Sequence, residues 1–342
     1  MAGERLLVPL AESVTIRQTV GHAVRTALEE EGTPEIHFVV GIAYEADVPE
    51  GRRAFEDAEG LLDRAIAWAR EDASDTELHL ETDILGTDMY LFAPRDYAEQ
   101  FAAYVSEHDL DRVVLDPEYR PGHEAPMLYP LERELASVGV AYEEAPVERP
   151  ARHERLVGPG GATRFLGLFV ISYGFYLLLG DPTYIFDLVT GVAAAAVVAA
   201  TFSQVTFTTP LHPTQTPLRL ARGALYVPYL LFEIIRANLA ISLVILRPSL
   251  PIDPQMTRVQ AAVRSGLPLT TLANSITLTP GTLTVRANDQ RLLVHTLIPT
   301  AREDLFDGTL EKAVRFVFYG RRAMRIPSPR DRGDAEVLEG NQ

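Results

Sequence analysis

Residues 184–207 read YIFDLVTGVAAAAVVAATFSQVTF, with Asp187 as the one ionisable side chain. At its centre, GVAAAAVVAATF offers no polar face to water at helical spacing. A helix that is apolar all round suits lipid or a bundle interior. The bilayer core is about 30 Å thick and takes about 20 helical residues to cross. Just upstream, residues 165–179 are uncharged and rich in aromatic side chains (Phe165, Phe169, Tyr173, Phe175, Tyr176). The two stretches predict a transmembrane helical hairpin with spans at about 165–181 and 184–207.

Charge sets its orientation. Arg149, Arg152, Arg155 and Arg164 precede the first stretch and Arg219 and Arg222 follow the second, whereas the loop Gly180-Asp181-Pro182-Thr183 has no basic residue. By the positive-inside bias both ends of the hairpin face the cytoplasm. The chain is therefore expected in the cell membrane as a multi-pass protein with its N-terminal and C-terminal domains cytoplasmic and lipid as one partner.

A third apolar segment, 218–246, is less simple. Arg222, Tyr226, Tyr229, Glu233, Arg236 and Ala240 recur at three- and four-residue steps and form one polar stripe, with Leu225, Leu231, Phe232, Leu239 and Leu243 elsewhere. This is an amphipathic pattern. Basic residues flank both ends, and a crossing would carry the basic region from Arg247 to Arg332 outside. An interfacial or re-entrant helix is favoured, with a third span as the alternative. Glu233 and Arg236, one turn apart, can pair, and ionisable groups at membrane depth mark ion paths or subunit contacts. Asp187 belongs to the same set of candidates.

The remainder divides by charge. Residues 1–150 hold 33 Asp+Glu against 12 Arg, a net −21, and residues 151–342 hold 14 acidic against 19 basic side chains, a net +5. So acidic a first half argues against nucleic acid, whose phosphates need a basic footprint. There are no cysteines, which excludes disulfides, thiolate nucleophiles and Cys-ligated metals. Arginine supplies every positive charge except Lys312, and with the acidity this resembles proteins of extremely halophilic archaea.

In residues 1–148, strand-like runs (5–10, 36–42, 77–85, 112–115, 140–143) alternate with helix-like ones (15–28, 53–69, 96–106, 131–137). Single helices between strands imply a doubly wound parallel sheet. This order, with the opening LLVPLAES, resembles the universal stress protein family, an α/β fold whose ligands lie beyond the carboxyl ends of the strands at the switch point. The family's nucleotide-binding members carry an Asp soon after the first strand and a glycine-rich pattern after the fourth. Here Ala11 stands at the first place and DPEYRPGHEAPML, with Gly122 as the one glycine, at the second. Asp116, Glu118 and Glu124 would repel phosphate. His22, His37, His79, His108 and His123 show no ligand spacing, so no metal or cofactor is expected.

Pro146, Pro150, Pro159 and three glycines mark a linker over 149–164. Beyond the membrane part, 247–322 reads as a small α/β domain. Residues 259–264 read as a short helical run. In LANSITLTPGTLTV, 272–285, apolar and threonine residues alternate on either side of Thr279-Pro280-Gly281-Thr282, which predicts two strands joined by a type II turn. Residues 292–298 read as another strand and 309–318 as an amphipathic helix. Residues 323–342, polar and proline-broken, are expected to be disordered.

LANSITLTPGTLTV, the helix ending near RPSLPI, the apolar hairpin and LLVHTLI together resemble the MnhE component of the multisubunit sodium/proton antiporter, the Mrp or Mnh system, over about 164–320. The resemblance implies an accessory membrane subunit that works with the other antiporter subunits, with Na+ and H+ passing through the complex. Asn274, Thr279, Pro280 and Gly281 of the signature join Asp187, Glu233 and Arg236 as candidates for subunit contact or the ion path. A membrane-anchored cytoplasmic ligand or nucleotide sensor is the second reading. Ser172, Ser203, Ser275 and His295 lack catalytic partners at recognisable spacing, so no enzyme is expected.

Overall fold

The computed structural model describes residues 4–29, 34–74, 76–121, 128–148, 162–206, 215–288 and 290–338. Most of the expected linker, together with Gly122 and His123, lies outside them. The chain forms two compact units, Met1–Glu148 with Arg219–Gln342, and Arg149–Leu218.

The first unit contains two sheets. Five strands, β1 (Arg5–Pro9), β2 (Glu35–Gly41), β3 (His79–Leu85), β4 (Arg112–Leu115) and β5 (Tyr142–Glu144), form a parallel sheet in the order β3-β2-β1-β4-β5. Four helices connect them: α1 (Ile16–Glu29), α2 (Pro49–Ala73), α3 (Pro94–His108) and α4 (Leu128–Ser137). Strand runs such as LLVP and IHFVVG feed both faces of the sheet. Leu6, Val8, Ile36 and Phe38 pack into one core with α1 and α2, and Leu7, Val39, Val113 and Leu115 into another with α3 and α4. Burial on both sides is what an apolar, non-alternating strand requires. The doubly wound parallel sheet expected from the alternation is present.

The second sheet is antiparallel, in the order β7-β8-β6-β9, from β6 (Gln255–Gln260), β7 (Thr282–Asn288), β8 (Arg291–Thr296) and β9 (Ala335–Leu338). Helices α8 (Leu267–Leu278) and α10 (Thr309–Tyr319) cover it, and the short α9 (Pro299–Asp307) precedes α10. Three expectations are corrected here. Residues 255–260 form a strand rather than leading into a helix, because Thr257 and Val259 alternate into the core while β8 and β9 bond both edges. The first half of the signature is a helix rather than a strand. Over twelve residues Leu269, Leu272, Ser275 and Ile276 are buried at three- and four-residue steps, a period that the four-residue window ITLT could not reveal.

The third correction concerns the C-terminal segment. Residues 322–325 form a 3-10 turn and 335–338 pair with β6. Arg332 fixes the return, with Nη2 donating to the Gln260 carbonyl at 2.9 Å, Nη1 to Glu311 at 3.1 Å and Nε to Asp334 at 2.7 Å. Polar composition suggested disorder, but those polar groups are spent on specific partners.

The carboxyl end of the parallel sheet meets the C-terminal domain. The Phe92 and Tyr319 rings lie 4.8 Å apart, and Gln290 Nε2 donates to the Phe92 carbonyl at 3.3 Å. Arg264 Nη2 donates to the Pro121 carbonyl at 3.2 Å, and Arg322 Nη1 reaches Asp47 at 3.0 Å.

The second unit contains α5 (Ala162–Leu179) and α6 (Ile185–Thr206), packed against one another. Gly191 lets them close up, since a Cβ there would lie 2.8 Å from Tyr176 Cδ1. Thr190 Oγ1 donates to the Phe186 carbonyl at 2.7 Å, which leaves it to accept from the Tyr176 hydroxyl 2.9 Å away. Leu178, Ile185, Phe186, Val189 and Val197 are exposed apolar side chains. By length and apolarity, Ile185–Ser203 and Leu218–Leu246 are long enough to cross a bilayer, and Arg164–Leu179 is shorter.

Candidate functional site

The residues singled out in the membrane part and in the signature converge on helix α7 (Gln215–Leu246) and the turn after α8. Helix α7 is continuous through Pro228. Its stripe faces the C-terminal domain. Tyr226 is buried, with its hydroxyl 2.5 Å from Ser275 Oγ on α8, and Ser275 donates in turn to the Thr271 carbonyl at 2.7 Å. Arg236 Nε donates to Glu233 Oε2 at 2.9 Å and Nη2 donates to Asp304 Oδ2 on α9 at 2.7 Å. The opposite face exposes Leu225, Val227, Leu231, Phe232, Leu239 and Leu243. At Tyr226 and Arg236 the polar side of the helix is thus turned to protein.

The threonines of the signature finish a helix. The last carbonyls of any α-helix lack an intrahelical partner. Here the one proton of Thr282 Oγ1 is shared between the Ile276 carbonyl at 2.5 Å and the Thr279 carbonyl at 2.9 Å, and the Thr279 amide reaches the Ser275 carbonyl at 3.1 Å. Thr284 Oγ1 donates back to the Ala273 carbonyl at 2.9 Å, tying β7 to α8. Short hydroxyl side chains can do this where longer ones cannot reach.

The turn itself has the expected glycine requirement. Gly281 has φ +95, and a Cβ there would sit 3.4 Å from Ala301 Cβ and 3.6 Å from Ile241 Cδ1. The Thr282 amide closes the turn on the Thr279 carbonyl at 3.3 Å, and the Gly281 carbonyl accepts from the Leu297 amide at 2.8 Å. So the turn is a fixed joint between α8, β8 and α7. Between them lies an apolar groove rimmed by Glu233, Arg236, Thr279, Pro280 and Asp304.

Five of the seven candidates are thus brought together: Glu233, Arg236, Thr279, Pro280 and Gly281. Asn274 is exposed on α8 outside the groove. Asp187 belongs to the other unit, where its Oδ2 accepts from the Asp181 amide at 2.9 Å at the hairpin loop. A carboxylate at a helix N-terminus is favoured by the helix dipole, a structural reason for its presence among apolar neighbours. Asp304 escapes the sequence reading. Nothing local in TAREDLFD distinguishes it from Glu303, and only the packing of α9 beside α7 selects it.

At the switch point of the parallel sheet, Asp116 follows β4 and is buried, accepting from Thr15 Oγ1 at 2.8 Å, Thr19 Oγ1 at 2.6 Å and the Glu118 amide at 2.7 Å. A carboxylate thus occupies the start of the loop where this type of sheet places its ligand.

Residues 169–317 match the family model described as Na+/H+ ion antiporter subunit. No curated protein matches the chain. Among solved structures, a chain of the membrane-bound sulfane sulfur reductase, an archaeal respiratory membrane complex, is 28% identical over 46% of this chain and 99% of its own, with a TM-score of 0.39. A chain of the Mrp complex from Dietzia sp. DQ12-45-1b is 28% identical over 32% of this chain and 98% of its own, TM-score 0.23. The universal stress protein from Archaeoglobus fulgidus is 11% identical over 42% of this chain and 98% of its own, TM-score 0.31. Residues 169–317, which contain most of the helical hairpin, helix α7 and the signature turn, are thus similar in sequence to the MnhE family of Na+/H+ ion antiporter subunits.

Proposed function

We propose that this chain is the accessory, membrane-embedded MnhE component of a multisubunit Na+/H+ antiporter, supporting assembly and monovalent cation/proton exchange. The observation that carries this is the family match across residues 169–317. The site has the character of a joint. Its charges, Glu233, Arg236 and Asp304, are paired with one another beside an apolar groove. Such a surface suits docking to other subunits, and exchange belongs to the assembled complex.

Helices α5 and α6 form the membrane hairpin in this reading, with both its ends and both globular domains in the cytoplasm. Helix α7 lies at the interface. Its face from Tyr226 to Ile241 is in contact with the C-terminal domain, which carries Asp304 beside it, and charged protein surface at bilayer depth is costly. Its other, apolar face would rest on acyl chains. A nucleotide-sensing role has the buried Asp116 against it, since a carboxylate repels phosphate.

The test is recovery of the full chain in mild detergent with mass identification of co-purifying proteins, alongside Na+/H+ exchange in everted vesicles with and without the chain. Large membrane subunits should co-purify, and exchange should fall when the chain is absent. A chain recovered alone, with exchange undiminished by its removal, would overturn the proposal.

A further inference from the structure

The N-terminal domain gathers a histidine–carboxylate cluster that spacing in the sequence does not reveal. Strands β2 and β3 are parallel and in register, so His37 stands beside Glu81 and Glu35 beside His79. Residues two apart on a strand share a face, so all four side chains project from one side of the sheet. That side is covered by α3, whose last turn places Tyr104 and His108 over the same spot, with the His37 and His108 rings 5.0 Å apart. Because β3 is the edge strand, the cluster is open on one flank. His37 is 1% exposed and Glu81 44%, so the group has a buried floor and an accessible mouth.

One ligand atom from each of His37, Glu81 and His108 lies within 4.8 Å of the others, and His37 Nδ1 is 3.7 Å from Glu81 Oε2. Two ligands bound at zinc distances around a tetrahedral ion are about 3.4 Å apart. Rotation of the partly exposed Glu81 and His108 side chains supplies the remaining closure. His37 is already oriented. Its Nε2 is 3.0 Å from Glu35 Oε1, and Glu35 is held by Arg5 Nε at 2.9 Å. An ionised carboxylate only accepts, so the proton sits on Nε2 and the lone pair is left on Nδ1, which lies 3.1 Å from the Tyr104 hydroxyl and 3.7 Å from Glu81 Oε2. A carboxylate behind a ligating histidine is the usual outer partner of a metal-bound imidazole.

We propose that His37, Glu81 and His108 bind one divalent transition-metal ion of the zinc class, with Glu35 as the orienting partner and the outer position open to water. Two imidazoles and one carboxylate select zinc, cobalt or nickel over magnesium or calcium, which take oxygen ligands. The Tyr104 hydroxyl, 3.1 Å from His37 Nδ1, donates to it in the metal-free state and gives up that bond when the ion enters. The site stands at the amino ends of the strands, opposite the edge that meets the C-terminal domain. His79, 3.2 Å from Glu81, steadies that carboxylate from outside.

The experiment uses the full chain in detergent, stripped with chelator and titrated with Zn2+ by calorimetry and with Co2+ by visible absorption. The wild type should bind one Zn2+ and give the d–d band of a low-coordinate Co2+ site. His108→Gln and Glu81→Gln should each weaken binding by at least about tenfold, and His79→Gln by no more than a few-fold. Both substituted ligands are at the surface, and thermal unfolding without metal checks that the variants fold. Zn2+ should raise the unfolding temperature of the wild type and leave that of His108→Gln unmoved. Failure of the wild type to bind overturns the assignment, as does wild-type affinity in both Glu81→Gln and His108→Gln. Loss of binding confined to His79→Gln would also overturn it, placing the ion in the neighbouring Glu35–His79–Glu81 group.

Discussion

Arg236 on helix α7 donates to Asp304 on helix α9 at 2.7 Å, across 68 positions of sequence, while its Nε holds Glu233 one turn earlier on its own helix. This fork fixes the long helix against the C-terminal domain at the rim of the groove. Both partners are about half exposed, so the pair belongs among those whose coupling is no more than about 1 kcal/mol. We expect Asp304→Asn and Arg236→Met to leave thermal unfolding nearly unchanged and to reduce recovery of partner subunits. A double-mutant cycle on subunit recovery should show the two effects to be non-additive. Additive effects would separate the pair from the docking role.

Gly281→Val should be more damaging. The backbone at φ +95 costs an L-residue roughly 1–2 kcal/mol, and a branched side chain would also press on Ala301 and Ile241. Unfolding temperature and complex recovery should fall together. Gly281→Asn, which tolerates this region better, should lie between them. A fully stable valine variant would show that the turn can flip without consequence.

The largest single loss in the C-terminal domain is expected at Glu311. It is buried, accepting from Arg315 Nη1 at 2.6 Å and Arg332 Nη1 at 3.1 Å. Removing one partner of a buried pair leaves an uncompensated charge and costs about 3–5 kcal/mol. Glu311→Ala should release the C-terminal strand β9, because Arg332 loses its anchor. Hydrogen exchange over 327–338 would report this; unchanged protection there would count against the anchoring role.

Acid should weaken the N-terminal domain through Asp72. Arg17 grips that carboxylate with both guanidinium nitrogens, at 2.5 and 2.7 Å, and this hydrogen bonding outweighs burial and holds its pKa below the usual range. A carboxylate with a depressed folded-state pKa adds stability above its unfolded value, about 4, and that stability is lost as pH falls through the folded value. The gap in unfolding temperature between wild type and Asp72→Asn should therefore be full at neutral pH and shrink as pH falls beneath the ordinary aspartate range toward the depressed folded-state value. A gap that persists in strong acid would assign the stabilisation to packing instead.

Period and composition make much of this legible. The alternating apolar runs of residues 1–148 lead to the parallel sheet, because strands buried on both faces must be continuously apolar. The glycine of the signature turn is readable because few other residues accept positive φ. Short windows mislead. ITLT has the alternation of a strand, yet it forms the end of α8, whose register is set by Leu269 and Leu272 upstream. Residues 327–338 look like a solvated tail until Arg332 finds Glu311 and the Gln260 carbonyl.

From the sequence alone came the apolar stretches suited to lipid, the charge contrast between the halves and the conformational demand at Gly281, since each depends on residues close together in the chain. The tertiary structure alone decided that the stripe on α7 faces protein, that Asp304 rather than Glu303 meets Arg236, and that His37, Glu81 and His108 share one corner. Those facts depend on strand register and helix packing, which join residues separated by tens of positions, and no local spacing encodes which of many similar side chains will meet.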